Sequence, residues 1–544
     1  MSEQDEPTLA ESKQPRRHLS VWLLLALVIV LSAGIRWRLL DVPLERDEGE
    51  YAYAGQLILQ GVPPYSRAYN MKLPGTYASY AVILALFGET HRGIHLGLLV
   101  INTATVVLVF LLAQRLFDNT AGVVAAACFA MLSLSQPLQG AFANSEHFVL
   151  LSAVAGILFL LRALNDGRLR TLICAGLLLG LSFTMKQHGI AFVAFGGVYL
   201  LVAQSRQRPL NVRRLLGRVA ILAVAAATPY LMTCLTLWVA GVFEQFWFWT
   251  VRYARTYVTA VPFSEVPGRL KGAAIHVTDG TRMIWLLAGL GLAATACSHN
   301  LRPQRAFLLL LSFFSLMTVF PGFAFRPHYF QLLLPAAGLL AAAALQFLRN
   351  LPPMSNRRLF REASVIGLLL TCLAVSIYQQ RRYLFKMTPT EVVRSTFGSN
   401  PFPESLVVAE YVRQHTDEDD RIAVIGSEPE IYFYARRRGA TGYIYTYPLM
   451  EAHEFALVMQ RKMIAQIEAA RPEFIVLVSH PLSWVARPGS HRLIFEWYDA
   501  YTRKDYEIVG VVNMLPDGTT FHWAPEVQWP PESSRYISVS RRKN

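Results

Sequence analysis

The residues best equipped for chemistry lie early in the chain, in Arg46-Asp47-Glu48-Gly49-Glu50-Tyr51-Ala52, and the segment runs on to Lys72-Leu73-Pro74-Gly75. Three carboxylates fall within four residues, directly after the first long apolar run. Charge beside a bilayer is costly to desolvate, so it needs open access to water or a functional reason to stay. One reading is a helix start. Asp47 followed three residues later by Glu50 has capping-box spacing, and Gly61 with Pro63-Pro64 closes the segment. A cap requires neither Glu48 nor the flanking Arg46, whereas an active-site loop accounts for both. A carboxylate in such a loop can take the proton of a hydroxyl, and a nearby cation can hold an anion.

Other candidates stand at the ends of later apolar runs. Asn144-Ser145-Glu146-His147 opens one of them; a Glu-His pair at a membrane boundary is a metal-ligand set, a second acid or a capped helix start. Lys186-Gln187-His188 lies at a turn between two runs. A lone lysine there commonly snorkels to the interface, but its polar neighbours favour contact with a phosphate. Arg326-Pro327-His328-Tyr329 opens a further run. Arginine can grip a phosphate through two N–H groups, and His328 can add a hydrogen bond.

The elements that must position these residues are membrane helices. The 544 residues are 53% hydrophobic and 16% charged, too apolar for a soluble enzyme of this size. Runs of roughly 20 apolar residues place about eleven spans at 20–40, 92–114, 120–137, 145–162, 171–186, 188–204, 214–239, 282–298, 306–322, 329–348 and 362–380. Lys and Arg outnumber Asp and Glu by 51 to 37, and they gather in short segments between the runs, as cytoplasmic loops require. That pattern argues against nucleic acid as a partner. It puts the N-terminus (residues 1–19) in the cytoplasm, and the loops near 41–91 and 240–281 outside with everything after Tyr378. The run after residue 20 lacks a small-residue cleavage site and reads as an uncleaved first span, with Arg36-Trp37-Arg38 as an interfacial anchor. Residues 76–90 are short for a span and are expected along the outer surface. The aromatic, basic stretch 243–257 has interfacial character; anchoring and lining a lipid entrance are both open to it.

From residue 385 to 544 the composition is that of a soluble α/β domain, with strands expected at Arg421–Ile425, Phe474–Val478 and Tyr506–Val512 and helices near 403–415, 428–438 and 451–470. It holds no GxGxxG and no P-loop. Asp417-Glu418-Asp419 has the DxD form of nucleotide-sugar transferases, but it precedes a strand instead of following one and reads as a solvated turn. The five cysteines all lie in apolar runs, without metal-ligand spacing or a convincing disulfide framework.

Asp-Glu-Gly-Glu-Tyr-Ala after a first span, then Gly-Val-Pro-Pro-Tyr and Lys-Leu-Pro-Gly, resembles the first external loop of the GT-C membrane glycosyltransferases. Within that group it is most similar to the dolichyl-phosphate-mannose-protein mannosyltransferase and aminoarabinose transferase family (glycosyltransferase 39-like). Lys72-Leu73-Pro74 departs from the family's Lys-Pro-Pro, and the resemblance covers most of residues 20–380 in order. It implies a polytopic α-helical fold with a C-terminal external α/β domain, and a polyprenyl-phosphate-linked sugar as donor. Asp47 is then the catalytic base with Glu48 as its partner. Lys72, Lys186, Arg326, His328 and Tyr329 meet the donor phosphate, and Glu146 and His147 are candidate ligands for a divalent metal ion. The expected reaction transfers sugar to a lipid, glycan or protein acceptor at the external face of the plasma membrane. A single displacement would invert the anomeric centre. The competing class is a lipid or glycan transporter or flippase, for which intramembrane charges would mark a path.

Overall fold

The computed structural model describes residues 14–206, 209–258, 261–351 and 358–543; residues 1–13 of the expected cytoplasmic N-terminus lie outside them. Among the described residues, the first part of the chain forms nine α-helices: α1 (Gln14–Arg38), α2 (Arg46–Leu59), α3 (Pro74–Phe87), α4 (His91–Leu116), α5 (Asn119–Ser133), α6 (Ser145–Asp166), α7 (Leu169–Met185), α8 (Ile190–Ser205) and α9 (Val212–Val239). Among the described residues, seven helices are long and apolar enough to cross a bilayer: Ser20–Arg38, His91–Leu116, Ser145–Asp166, Gln187–Ser205, Val212–Val239, Pro327–Arg349 and Glu362–Gln379. An eighth crossing would combine Phe263–Thr278 with Arg282–Cys297, which bend by 114° against each other. The chain is thus a multi-pass membrane protein, but the expected count of eleven is not reached. The remaining stretches are helical yet short: α5 has 15 residues, α7 has 17 and Arg302–Met317 has 16, against roughly 20 for a hydrocarbon core about 30 Å thick.

In lipid there is no hydrophobic drive between helices, so small residues that let backbones touch set the packing. A Cβ on Gly180 would collide with the Ala226 carbonyl of α9, and one on Gly291 with the Leu340 carbonyl. The centre of the bundle is Leu334–Arg349, whose Ala336, Ala337 and Ala341 to Ala344 are all buried. Arg36, expected at the interface, instead turns inward and donates to the carbonyls of Gly140 (2.8 Å) and Ser133 (2.9 Å). Trp37 beside it stays outward.

The C-terminal part carries one six-stranded sheet of β1 (Arg421–Ile425), β2 (Arg438–Gly439), β3 (Phe474–Ser479), β4 (Tyr506–Leu515), β5 (Gly518–Trp523) and β6 (Tyr536–Arg542), in the order β2-β1-β3-β6-β4-β5. β1 pairs in parallel with β2 and β3, and β6 joins β3 to β4 antiparallel to both. The expected strands are β1, β3 and β4; the other three were not anticipated. The helix expected near 428–438 is only Glu430–Ala435, ended by Arg436 at φ 54°. Asp417 to Asp419 form an exposed turn before β1.

The hydrophobic core does not divide where the composition changes. Tyr51, Tyr53, Tyr65, Tyr77 and Tyr80 of the α2–α3 region share one cluster with Ile422, Val424, Tyr432, Val476 and Ile537 of the sheet domain. The amphipathic stretch joins it: Phe246, Trp249 and Tyr253 face this cluster, while Arg252 and Arg255 point away. Trp249 stacks on Tyr69 with centroids 5.8 Å apart. The early loop is therefore one wall of the C-terminal domain.

The glycine contacts give a test of the bundle. Gly291→Ala should cost roughly 1–3 kcal/mol through overpacking, read as a lowered apparent Tm in detergent. Gly289→Ala, whose Cβ meets nothing within 4 Å, should leave it unchanged.

Candidate functional site

The site is built around the first turn of α2. Its N-cap is Glu45, in extended conformation at φ −87° and ψ 175°. Glu45 accepts from the Glu48 amide, and Glu48 accepts from the Glu45 amide, both at 3.2 Å. The capping box is therefore Glu45 with Glu48, not Asp47 with Glu50, and the helix starts two residues earlier than the Asp47 reading requires. That register decides which carboxylate is free.

Glu48 is fully buried and committed. Its Oε1 accepts from the Ala143 amide at 2.6 Å and from His95 Nε2 at 3.0 Å, and His95 Nδ1 donates to the Leu40 carbonyl at 3.0 Å. Both ring nitrogens of His95 thus face oxygen acceptors. Glu48 thus ties α2 to α4 and to the turn before α6. It has no open oxygen for the partner role expected of it.

Asp47 takes no part in the cap. Its Oδ2 lies 2.8 Å from Lys72 Nζ, and the two side chains are 16% and 17% exposed, so water reaches them. Burial on its own raises the Asp47 carboxyl; the charges of Lys72, His328 and Lys186 reverse this and hold it well below the usual carboxylate range. Burial likewise works against the Lys72 ammonium, and Asp47 and Tyr51 more than compensate. Lys72 also donates to the Tyr51 hydroxyl at 2.9 Å and lies 4.9 Å from the centre of that ring. The other Asp47 oxygen faces the Tyr445 hydroxyl at 3.5 Å.

Glu50 completes the turn. Its Oε1 accepts from Tyr77 at 2.5 Å, its Oε2 from Asn70 at 2.6 Å, and Lys72 Nζ is 4.0 Å away. Burial pushes this carboxyl up to about 7, despite the lowering by Lys72.

A second ion pair abuts the first. Gly75 at the start of α3 presses on the Thr184 carbonyl, and Gln187 donates to the Met71 carbonyl at 2.8 Å, so the Lys72 and Lys186 segments adjoin. Lys186 Nζ is 2.5 Å from Glu146 Oε1 and 4.5 Å from the centre of the Tyr329 ring. The rings of His188 and His328 meet Tyr329 edgewise at 4.6 and 4.9 Å, and His328 Nδ1 donates to Gln139 Oε1 at 2.9 Å. Arg326 stands exposed at the rim, where its charge acts on Tyr447 and Glu451.

Asp47, Lys72, Lys186, Glu146, His328 and Tyr329 therefore share one seam between the bundle and the C-terminal domain, and Arg326 borders it. Glu48 and His147 point elsewhere. His147 turns towards Arg36 and the Phe142 backbone while Glu146 turns to Lys186. The two adjacent side chains diverge, and an ammonium already sits on the carboxylate, so the pair does not fit a shared divalent ion. Among the described residues no three His, Cys, Asp or Glu side chains gather in a metal-holding group. Sequence reasoning missed Glu45, Glu50 and Tyr51 as members of the site, and it missed Tyr445 altogether. The one signal for Tyr445 was the alternation Tyr443-Ile-Tyr445-Thr-Tyr447 in a domain otherwise assigned no chemistry.

Comparison with known proteins fits this geometry. A sequence model of the dolichyl-phosphate-mannose-protein mannosyltransferase family matches residues 72–233, from Lys72 through α3 to α9. No curated protein sequence matches the chain. By fold, the chain is similar to ArnT from Cupriavidus metallidurans bound to undecaprenyl phosphate (TM-score 0.60, 16% identity, 96% of this chain and 98% of that one). It is also similar to the oligosaccharyltransferase AglB from Archaeoglobus fulgidus in complex with an inhibitory peptide and a dolichol-phosphate (TM-score 0.54, 13% identity, 94% and 75%). The fold is that of the GT-C glycosyltransferases.

Glu50 supplies a pH test. A buried carboxyl raised from 4.5 to about 7 holds its proton more tightly in the folded protein than in the unfolded chain. Its stabilisation is present below pH 4.5 and is lost as pH rises towards 7. The loss is roughly 3–4 kcal/mol at about 1.4 kcal/mol per unit. Apparent Tm measured from pH 4.5 to 8 should fall less steeply in Glu50→Gln than in wild type.

Proposed function

We propose that the protein is an integral-membrane glycosyltransferase that moves a sugar from a polyprenyl-phosphate donor to an acceptor hydroxyl or phosphate at the external face, with inversion. The observation that carries this reading is Asp47 itself. It is the one carboxylate of the α2 turn that is excluded from the cap, open to water and paired with a lysine. The seam beside it is lined with further cations, and the fold is shared with two proteins that hold polyprenyl phosphates.

In the proposed step an acceptor oxygen attacks the anomeric carbon as the bond from that carbon to the phosphate oxygen breaks. The electron pair leaves with the lipid phosphate, and the acceptor proton passes to Asp47. Lys186, Arg326 and Lys72 offset the charge on the phosphate, and Tyr329 supports Lys186 through its ring face. With Lys72 at full strength on Asp47 the carboxylate is a weak base. A donor phosphate that draws Lys72 towards itself raises the proton affinity of Asp47, so the base is strengthened when the donor is in place. No step is routed through a metal ion. The sugar and acceptor are to be identified by mass spectrometry of envelope glycolipids and glycans with and without the gene.

The test of the base is radiolabelled sugar transfer from the polyprenyl-phosphate donor in reconstituted vesicles. Glu45 caps the helix, so Asp47→Asn should leave Tm close to wild type while turnover falls by roughly a hundredfold or more. Near-wild-type turnover would remove Asp47 as the base.

Orientation follows from the loop charges: N-terminus in the cytoplasm, C-terminal domain outside. In a cysteine-free background, engineered cysteines at Ser12 and Glu418 should react oppositely with an impermeant maleimide in intact cells. Equal reaction at both would reverse the assignment.

A further inference from the structure

The residue before Asp47 reaches away from the membrane. Arg46 is 7% exposed, and its guanidinium enters the C-terminal domain. Nε donates to the Ser427 carbonyl at 2.5 Å, and Nη2 donates to Asn400 Oδ1 at 3.1 Å and Glu428 Oε1 at 2.9 Å. Its Cζ lies 5.2 Å from the centre of the Phe402 ring and 5.3 Å from that of Tyr447. The receiving carboxylate is itself fixed. Glu428 Oε2 accepts from Ser483 Oγ at 2.6 Å, and Ser483 Oγ accepts from the Ser427 amide at 2.9 Å.

Contacts along α2 keep the same partner. A Cβ on Gly49 would lie 2.6 Å from Cβ and N of Glu430, so the two backbones touch there. Tyr53 stacks on Tyr432 at 5.1 Å and accepts from the Gly439 amide at 2.8 Å, and the Leu44 amide donates to the Tyr434 hydroxyl at 2.9 Å. Surface packing of a helix needs no buried arginine with three oxygen partners.

We propose that Arg46 is a positioning residue through which the C-terminal domain sets Asp47 against Lys72 and the seam, with Glu428 as its fixed counter-charge. The domain is then part of the catalytic apparatus and not an appendage to it. The inference rests on the reading of Asp47 as the base. Arg46 and Asp47 are consecutive in the first helical turn, so a shift of one side chain's anchor rotates the other. Lysine, a single ammonium without the planar fork, cannot meet Ser427, Asn400 and Glu428 together.

The experiment uses the full-length protein in vesicles, with Arg46→Met, Arg46→Lys, Glu428→Gln, Asp47→Asn and the Arg46→Met/Asp47→Asn double variant. Two measurements are made: hydrogen exchange, and sugar transfer from the polyprenyl-phosphate donor. Arg46→Met should speed amide exchange at residues 49–54 by tenfold or more while β1 and β3 amides stay protected. In transfer it should lower kcat at least tenfold, with donor KM within twofold of wild type. Arg46→Lys and Glu428→Gln should fall between, and Arg46→Met should cause no further loss when added to Asp47→Asn. Unchanged exchange in α2, equal loss of protection in β1 and β3, or losses of kcat that multiply in the double variant would each overturn the positioning role. Wild-type turnover in Asp47→Asn would instead overturn the reading of the base, and the exchange pattern would still decide whether Arg46 seats the helix.

Discussion

Burial of charge at the first turn of α2 governs the rest of the site. Glu45, Arg46, Glu48 and Glu50 are 6%, 7%, 0% and 1% exposed, and an unpaired buried charge costs several kcal/mol. Each must therefore find a partner, and each finds it in a different part of the chain. Glu45 closes the cap with Glu48, and Glu48 reaches His95 and the Ala143 amide. Arg46 reaches Glu428, and Glu50 reaches Tyr77 and Asn70. Anchors pulling in several directions hold the helix end in position. Asp47 lies between them and meets Lys72 at the opening. Its placement is a consequence of its neighbours being satisfied.

How much of this was legible in the sequence follows from how far each partner lies along the chain. Asp47, Lys72, Lys186 and Arg326 stood out because a charge at the end of an apolar run is conspicuous. The roles within Asp47-Glu48-Glu50 were not legible, since they turn on the residue where the helix begins. Glutamate is not among the favoured N-caps, so nothing local pointed to Glu45 as the cap. The pairing of Arg46 with Glu428 spans 382 positions and leaves no local trace. The count of eleven spans is not confirmed, for a related reason. Apolar composition marks α5 and α7 as membrane helices, but they end after 15 and 17 residues. Strands β5 and β6 lack the long apolar runs of β1 and β3, and β5 has no fully buried residue.

Composition and packing answer different questions about where one domain ends. Composition changes near residue 385, where the chain leaves the bilayer. Packing changes wherever one buried cluster gives way to another, and the α2–α3 tyrosines belong to the cluster of the sheet. The seam between bundle and sheet domain is consequently lined by residues from both ends of the sequence.

The two ion pairs at the seam are not equivalent. Lys186 and Glu146 are 8% and 0% exposed, whereas Lys72 and Asp47 are 17% and 16% exposed. Withdrawing Lys186 would strand a carboxylate with no water to take its place, at a cost of several kcal/mol. Withdrawing Lys72 leaves Asp47 facing solvent and Tyr445, so the exchange is far cheaper. An ammonium carries three donors and no acceptor, and Lys186 can thus offer an anion its remaining N–H groups without leaving Glu146. In the proposed reaction a phosphate entering the seam is met by one lysine that stays in place and one that can change partners, and the carboxylate released by that change is Asp47.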